Sequence, residues 1–246
     1  MRGGRGIVDP PALLSTANLI LIGAVHGDPR GYDRALRLLD HLEPDLVTVE
    51  ISRFSLRYRW RRGPHWRRLL AKALEELPAG AAEHPAIRRL AAQVALPFEV
   101  RAARDWGRRH GVPWRPLDLG APARRHLPRY ARELLAPENL QALLEQDRDG
   151  SLEEFVAAEF RRARLAYGRA PRRLPLAGAE EARRRELVLA RRLRRLAGRP
   201  GRVVHLGGWE HLVPWQEGGG LWHGVADLSP LRLLLDEADV LPGCGN

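Results

Sequence analysis

Asn18-Leu-Ile-Leu-Ile-Gly23-Ala-Val-His26 is an apolar run that ends in Gly-x-x-His. Leu19 to Ala24 carry no polar side chain, which is the pattern of a strand buried on both faces of a parallel sheet. After a turn at Gly27-Asp-Pro29, the residues Tyr32, Ala35, Leu36, Leu38, Leu39 and Leu42 repeat at helical spacing and stop before Pro44. Asp45-Leu-Val-Thr-Val-Glu50-Ile then reads as a second strand. The unit is about thirty residues long, as a right-handed parallel crossover requires.

The motif recurs near the other end, where Arg202-Val-Val-His-Leu-Gly-Gly208-Trp-Glu-His211 joins a late strand to a second Gly-x-x-His. Glycine lets the backbone turn off a strand, and open α/β sheets bind ligands at the carboxyl ends of their strands. The two histidines therefore point to one site.

Between these blocks the chain reads as mostly helical. Residues 53–97 form a helical cap or insertion, interrupted at Gly63-Pro64, Pro78-Ala-Gly80 and Pro85. Pro97 to Gly111 is a further helix with a glycine stop. Val112 to Asp118 is a short strand whose prolines place it at a sheet edge. Residues 121–197 are helical with breaks near Pro137, at Asp149-Gly150 and around 168–178, the last read as a flexible loop. Leu228 to Ala238 reads as a closing helix. The fold expected is α/β, one domain over residues 1–246, with a small, mostly parallel sheet flanked by helices and helical insertions at about 53–97 and 121–197.

Formal charge is +11, from 41 basic against 30 acidic residues. The basic residues are almost all arginine and fall at helical spacing opposite leucines, as in Arg183 to Leu196, which is how a solvated helix face looks. No nucleic-acid motif accompanies the charge, which argues against a polynucleotide partner. The single cysteine, Cys244, excludes a disulfide framework. The apolar run behind the basic Met1 to Gly6 is too short for a leader or a membrane span, and no other stretch qualifies, so a cytoplasmic protein without a transmembrane segment is expected. The tryptophans, scattered through helices and turns, read as packing residues, with Trp209 placed to line a pocket.

Four blocks in order resemble the TraB/PrgY pheromone-shutdown family and, more distantly, the Tiki, GumN, erythromycin-esterase and ChaN-like proteins. Gly23-Ala-Val-His26 with its helix and Pro44-Asp-Leu-Val-Thr-Val-Glu50 is the first block. Glu99-Val-Arg101-Ala-Ala leading to Leu117-Asp118 is the second, Arg185-Glu186-Leu-Val-Leu-Ala190 the third, and Val203 to His211 the last. Ala24, Ser52, Leu119 and Glu186 stand where the family pattern has threonine, aspartate, arginine and asparagine or aspartate. The resemblance implies an erythromycin-esterase/ChaN-like fold and hydrolysis of a peptide or small-molecule ester.

The residue types allow two hydrolytic schemes. His26, Glu50 and His211 could ligate a divalent ion (Mn, Co or Zn) that activates water, with Glu99 or Glu210 as general base. Alternatively His26, oriented by Glu50, could deprotonate water itself, with His211 and Arg185 stabilising the oxyanion. Arg185 could also hold a substrate carboxylate through its forked donors. Two other classes stay open: a non-catalytic binder of iron, haem or peptide, and a basic protein for nucleic acid or an anionic surface. Glu50 ends an apolar run and would be buried alone unless a cation meets it. Asp118 reads as a helix cap, and His205, on the strand's other periodicity, as a core histidine.

Overall fold

A computed structural model describes residues 17–145, 150–167, 179–214 and 220–241. Residues 1–16, the expected loop at 168–178, Trp215 and Cys244 lie outside the described residues.

The architecture is α/β. Strands β1 (Leu19–Ala24), β2 (Leu46–Val49), β3 (Trp114–Pro116), β4 (Val203–Gly208) and β5 (Leu231–Leu234) form one sheet in the order β3-β2-β4-β1-β5, every pairing parallel. The continuous apolar run of β1 is explained by its place beside β4: alternate side chains point to opposite faces and both faces are covered. Ile20 and Ile22 join a core with helices α1 (Gly31–Leu42) and α4 (Phe98–His110), through residues such as Leu38, Leu39, Val100 and Trp106. Leu19 and Leu21 join a second core on the other face, with Leu189 and Leu193 of α9 (Ala179–Ala197) and with Leu221 and Val225 of α10 (Leu221–Val225).

Helix boundaries follow local chemistry. α1 ends where Glu43 turns left-handed (φ 44°) ahead of Pro44, and α4 ends at Gly111 (φ 70°), a left-handed C-cap that glycine adopts without strain. Ser52 caps α2 (Arg53–Glu75), its hydroxyl accepting from the Ser55 amide at 3.0 Å. α2 and α3 (Pro85–Val94) form the expected cap over residues 53–97. With Leu127, Leu135 and Leu140 they enclose a third core around Trp66. The helical stretch beyond β3 runs through α5 (Gly120–His126), α6 (Tyr130–Glu133), α7 (Pro137–Glu145) and α8 (Leu152–Tyr167) to α9.

Expectations change at the closing segment and at the end of the late strand. Leu231–Leu234 is an edge strand paired with β1, and only Leu235–Asp239 after it is helical, as a 3-10 turn. A short leucine run satisfies either period, and the open edge of β1 decides it. β4 extends to Gly208, so the second motif begins while its strand is still hydrogen-bonded. The proline-bearing β3 does lie at an edge. Among the tryptophans Trp66, Trp106 and Trp209 are buried, whereas Trp60 stands 48% exposed on α2.

Gly107 of α4 faces the carbonyl of Val112, which a Cβ at that position would meet at 2.5 Å. Gly107→Ala is expected to cost about 1–3 kcal/mol because backbone cannot rotate aside as a side chain can. Thermal unfolding should show it as a Tm lower by about 2–4 °C per kcal/mol.

Candidate functional site

The first motif's glycine works through space rather than through its own conformation. A Cβ on Gly23 would meet the Trp209 Cα at 2.9 Å, so its absence lets the 3-10 turn Trp209–Leu212 sit against the end of β1. The left-handed turn comes later, at Gly27 (φ 83°). That turn is fixed by Asp28, whose carboxylate accepts from the Arg30 amide at 2.9 Å and pairs with the buried Arg34 guanidinium at 2.7 Å. Arg34 in turn grips Asp239 at 2.6 Å, tying the loop after His26 to α1 and the C-terminal turn.

His26 and His211 meet at one place. A Cβ built on Gly208 would lie 3.5 Å from His26 Nε2 and 3.6 Å from both Glu50 Oε2 and His211 Cδ2. A bare backbone at Gly208 therefore forms the floor between the two imidazoles.

Glu50 is delivered by the sheet. Its amide donates to the Leu206 carbonyl at 3.0 Å, continuing the β2–β4 ladder, and its Oε2 accepts from the Gly208 amide at 2.7 Å. Its Oε1 lies 2.9 Å from His211 Nε2 and accepts from Arg185 Nη2. Burial alone would raise this carboxyl's pKa, but the positive charges of His211 and Arg185 and the His211 hydrogen bond hold it well below the usual value. The cations that its position in an apolar run demanded are His211 and Arg185.

Arg185 is itself held in a fork. Its Nε and Nη2 donate to Asp118 Oδ1 and Oδ2 at 2.7 and 2.8 Å. Asp118 is thus not the helix cap its position suggested: α5 has no side-chain cap, and the β3 backbone runs on beside β2 (Asp118 N to Ile51 O, 3.1 Å) to place this carboxylate next to Glu50. The bonds described use Nε and Nη2 and leave the Nη1 of Arg185 to donate elsewhere.

His211 sits between two carboxylates, with Glu50 on Nε2 and Glu186 Oε1 2.5 Å from Nδ1. The second contact is a close charge pair rather than a well-directed hydrogen bond. Glu186 is buried, and its Oε2 accepts from the Leu221 amide at 2.7 Å. Burial disfavours a charged ring, but Glu50 and Glu186 outweigh it and raise the His211 pKa to about 10.

His26 is different. Its Nδ1 lies 2.7 Å from Glu99 Oε1 in the first turn of α4, and Glu99 is buried. Of the His26 side chain 63% is open to solvent, because the ring stands on the floor of a wide cleft whose walls surround it at a distance. Those walls work against a charge, but Glu99 and, more weakly, Glu50 prevail and raise the pKa to about 9. With Nδ1–H committed to Glu99, deprotonation leaves Nε2 as the acceptor.

Two clefts meet at this centre. One of about 1260 Å³ runs beneath the α2–α3 cap, and one of about 550 Å³ reaches His211, Glu186 and Trp209; His26, Glu50 and Arg185 line both. The structure thus joins His26, Glu50, Glu99, Arg185 and His211. Glu210 is exposed and lines the smaller cleft. His205 is a core histidine: fully buried, 3.0 Å from the Thr48 hydroxyl, with burial lowering its pKa to about 4. Asp118 and Glu186 stand inside blocks quoted from the sequence, where Asp118 reads as a helix cap and Glu186 as a departure from the family pattern; neither reading places them in the site. The signal was position, at the end of a strand and beside Arg185.

The donor set can be tested against a divalent ion. Both Glu50 oxygens and both His211 nitrogens already face partners within the protein. Holding an ion on His26, Glu50 and His211 together would require Arg185 to leave Glu50 and His211 to give up a carboxylate. Among the described residues no group of three or more His, Cys, Asp or Glu has the arrangement to hold a metal. In this arrangement Arg185 occupies the cationic role beside Glu50, and the set does not fit the ion.

No protein-family model, no curated protein and no solved structure matches the chain.

The His211 pairing has a pH signature. A histidine whose folded pKa lies above its unfolded value of about 6.5 contributes stability that is full below that value and fades as pH rises through about 10. Glu186→Gln should therefore destabilise by on the order of 1–3 kcal/mol at pH 6 and by clearly less at pH 10. Urea unfolding of both proteins at the two pH values measures this; an equal loss at both would contradict the pairing.

Proposed function

We propose that the protein is a hydrolase of ester or peptide bonds in which His26, held by Glu99, is the general base. The observation that carries this reading is the His26–Glu99 pair: a solvent-reachable imidazole whose far nitrogen is fixed by a buried carboxylate, opening on a cleft. The ordered resemblance of four sequence blocks to the TraB/PrgY family, and the more distant one to the erythromycin-esterase proteins, supports the same reaction class.

In the proposed cycle, neutral His26 accepts a proton from water at Nε2 as the water oxygen attacks the substrate carbonyl. The carbonyl oxygen takes up the electron pair and becomes the tetrahedral oxyanion, which Arg185 Nη1 is available to bind. His26 returns the proton to the departing oxygen or nitrogen as the bond to it breaks. Glu99 stays ionised, orienting the ring and stabilising its charged form. Glu50 and Asp118 fix Arg185, and His211 braces Glu50 from the other side.

A pKa of about 9 means that only about one His26 ring in a hundred is neutral at pH 7. kcat/KM on nitrophenyl esters is therefore expected to rise with pH to a limb near 9. Glu99→Gln removes the charge that raises the pKa, so the limb should move toward 6.5 while the plateau falls. His26→Ala should lower the plateau by about a hundredfold or more. Pre-incubation with a chelator should leave the wild-type rate unchanged. A wild-type rate that shows no limb, or one untouched by His26→Ala, would remove His26 from the reaction.

A further inference from the structure

The large cleft is unbalanced in charge. Four acids line it, and each is matched: Asp28 by Arg34, Glu99 by His26, and Glu50 and Asp118 by Arg185. Among the cations on its walls Arg88 pairs with Glu153, but others do not face an acid among the described residues. Arg67 lines the cleft with no acid partner among the described residues, and Arg101 has only the face of Tyr32. Arg59 is the most telling. It is partly buried, and its Nη1 donates to the carbonyls of Gln93 and Ala95 at 2.5 and 2.9 Å. Its third neighbour is Tyr130, over whose ring it lies at 5.7 Å, and its sealed Nε has no hydrogen-bond partner. These neighbours are neutral, so a permanently charged guanidinium is held at the cleft wall without a counter-charge among the described residues, which is costly unless an anion completes it. Much of the remaining wall is apolar, with Leu70, Leu74, Ile87, Leu96, Leu127 and Phe155 facing the same space.

Resting on the hydrolase reading for the position of the reacting bond, we infer that the cleft takes an anionic amphiphile: an ester or amide whose acyl part is an aliphatic chain ending in a carboxylate or phosphate. The carbonyl lies at His26, the chain runs along the leucine-rich wall under the α2–α3 cap, and the anionic end pairs with Arg59, with Arg67 adding to the field. A forked guanidinium suits either oxyanion. The cleft volume of about 1260 Å³ exceeds the range of roughly 300–1,000 Å³ usual for compact small ligands, as an extended chain requires.

The test has a binding arm and a turnover arm. By calorimetry on the intact protein, decanoate and decyl phosphate should each bind about tenfold tighter than decanamide at low salt, with the advantage shrinking as salt rises. Arg59→Gln should bring the three ligands level. Arg67→Gln, at an exposed position whose side chain supports no described contact, should lower the advantage without disturbing the fold and serves if Arg59→Gln unfolds. In turnover, the nitrophenyl half-ester of suberic acid should have a KM about tenfold below that of nitrophenyl octanoate, with similar kcat. Equal binding of decanoate, decyl phosphate and decanamide by the wild-type protein overturns the ligand class, even if esters are cleaved. An anion preference abolished by Arg59→Gln with no cleavage of any ester overturns the hydrolase reading and keeps the ligand class.

Discussion

A single carboxylate, that of Glu50, links the separate parts of this centre. It stands one residue beyond the end of β2, is shielded from water, and touches β4 through the Gly208 amide, the turn after β4 through His211, and α9 through Arg185. In so apolar a place an ionised acid is tolerable only when each oxygen is satisfied by a donor and a positive charge. The cluster around it follows from that requirement. Glu186 faces the outer nitrogen of His211, and Asp118 grips the guanidinium that Glu50 also engages. Four carboxylates and three cationic side chains thereby interlock at the rim of a parallel sheet. His26 alone among them turns most of its surface to solvent.

Much of this architecture is visible in the chain before any coordinates. β1 and β4 are runs with almost no polar residues, a pattern that a doubly covered strand explains, and the crossover length from Leu19 to Ile51 sets the parallel sense of β1 and β2. The helix between Pro97 and Gly111 is bounded by residues whose backbone preferences leave little choice. The convergence of His26, Glu50 and His211 follows from one rule about strand ends. What could not be read was pairing at a distance. Nothing local distinguishes Glu99 from an ordinary first-turn acid, or Arg185 from the arginines exposed beside it at 184 and 191. Leu231–Leu234 reads as helix from sequence because a short leucine-rich run fits either period until the free edge of β1 is known.

The arginines have two different settings. On α9, Arg184, Arg191 and Arg195 are exposed opposite the buried Leu189, Leu193 and Leu196, as an amphipathic surface helix requires. Elsewhere the same residue type does work that lysine could not. Arg34 spans two aspartates, Arg185 forks onto one aspartate while reaching a glutamate, and Arg192 donates to the carbonyls of Leu117 and Asp118. Net charge describes the first group; only geometry separates out the second.

The place of β4 at the middle of the sheet bears on how the chain reaches this state. β1 ends at residue 24 and its central neighbour begins at residue 203, so the sheet cannot close until most of the polypeptide has left the ribosome. At ordinary synthesis speeds that interval is on the order of ten seconds or more, during which two greasy strands wait with unsatisfied edges. Such long-range parallel closure is intrinsically slow and favours intermolecular pairing in the meantime. The arginine-dense helical segments that emerge in the interval carry like charge, which keeps nascent copies apart until the last strands arrive.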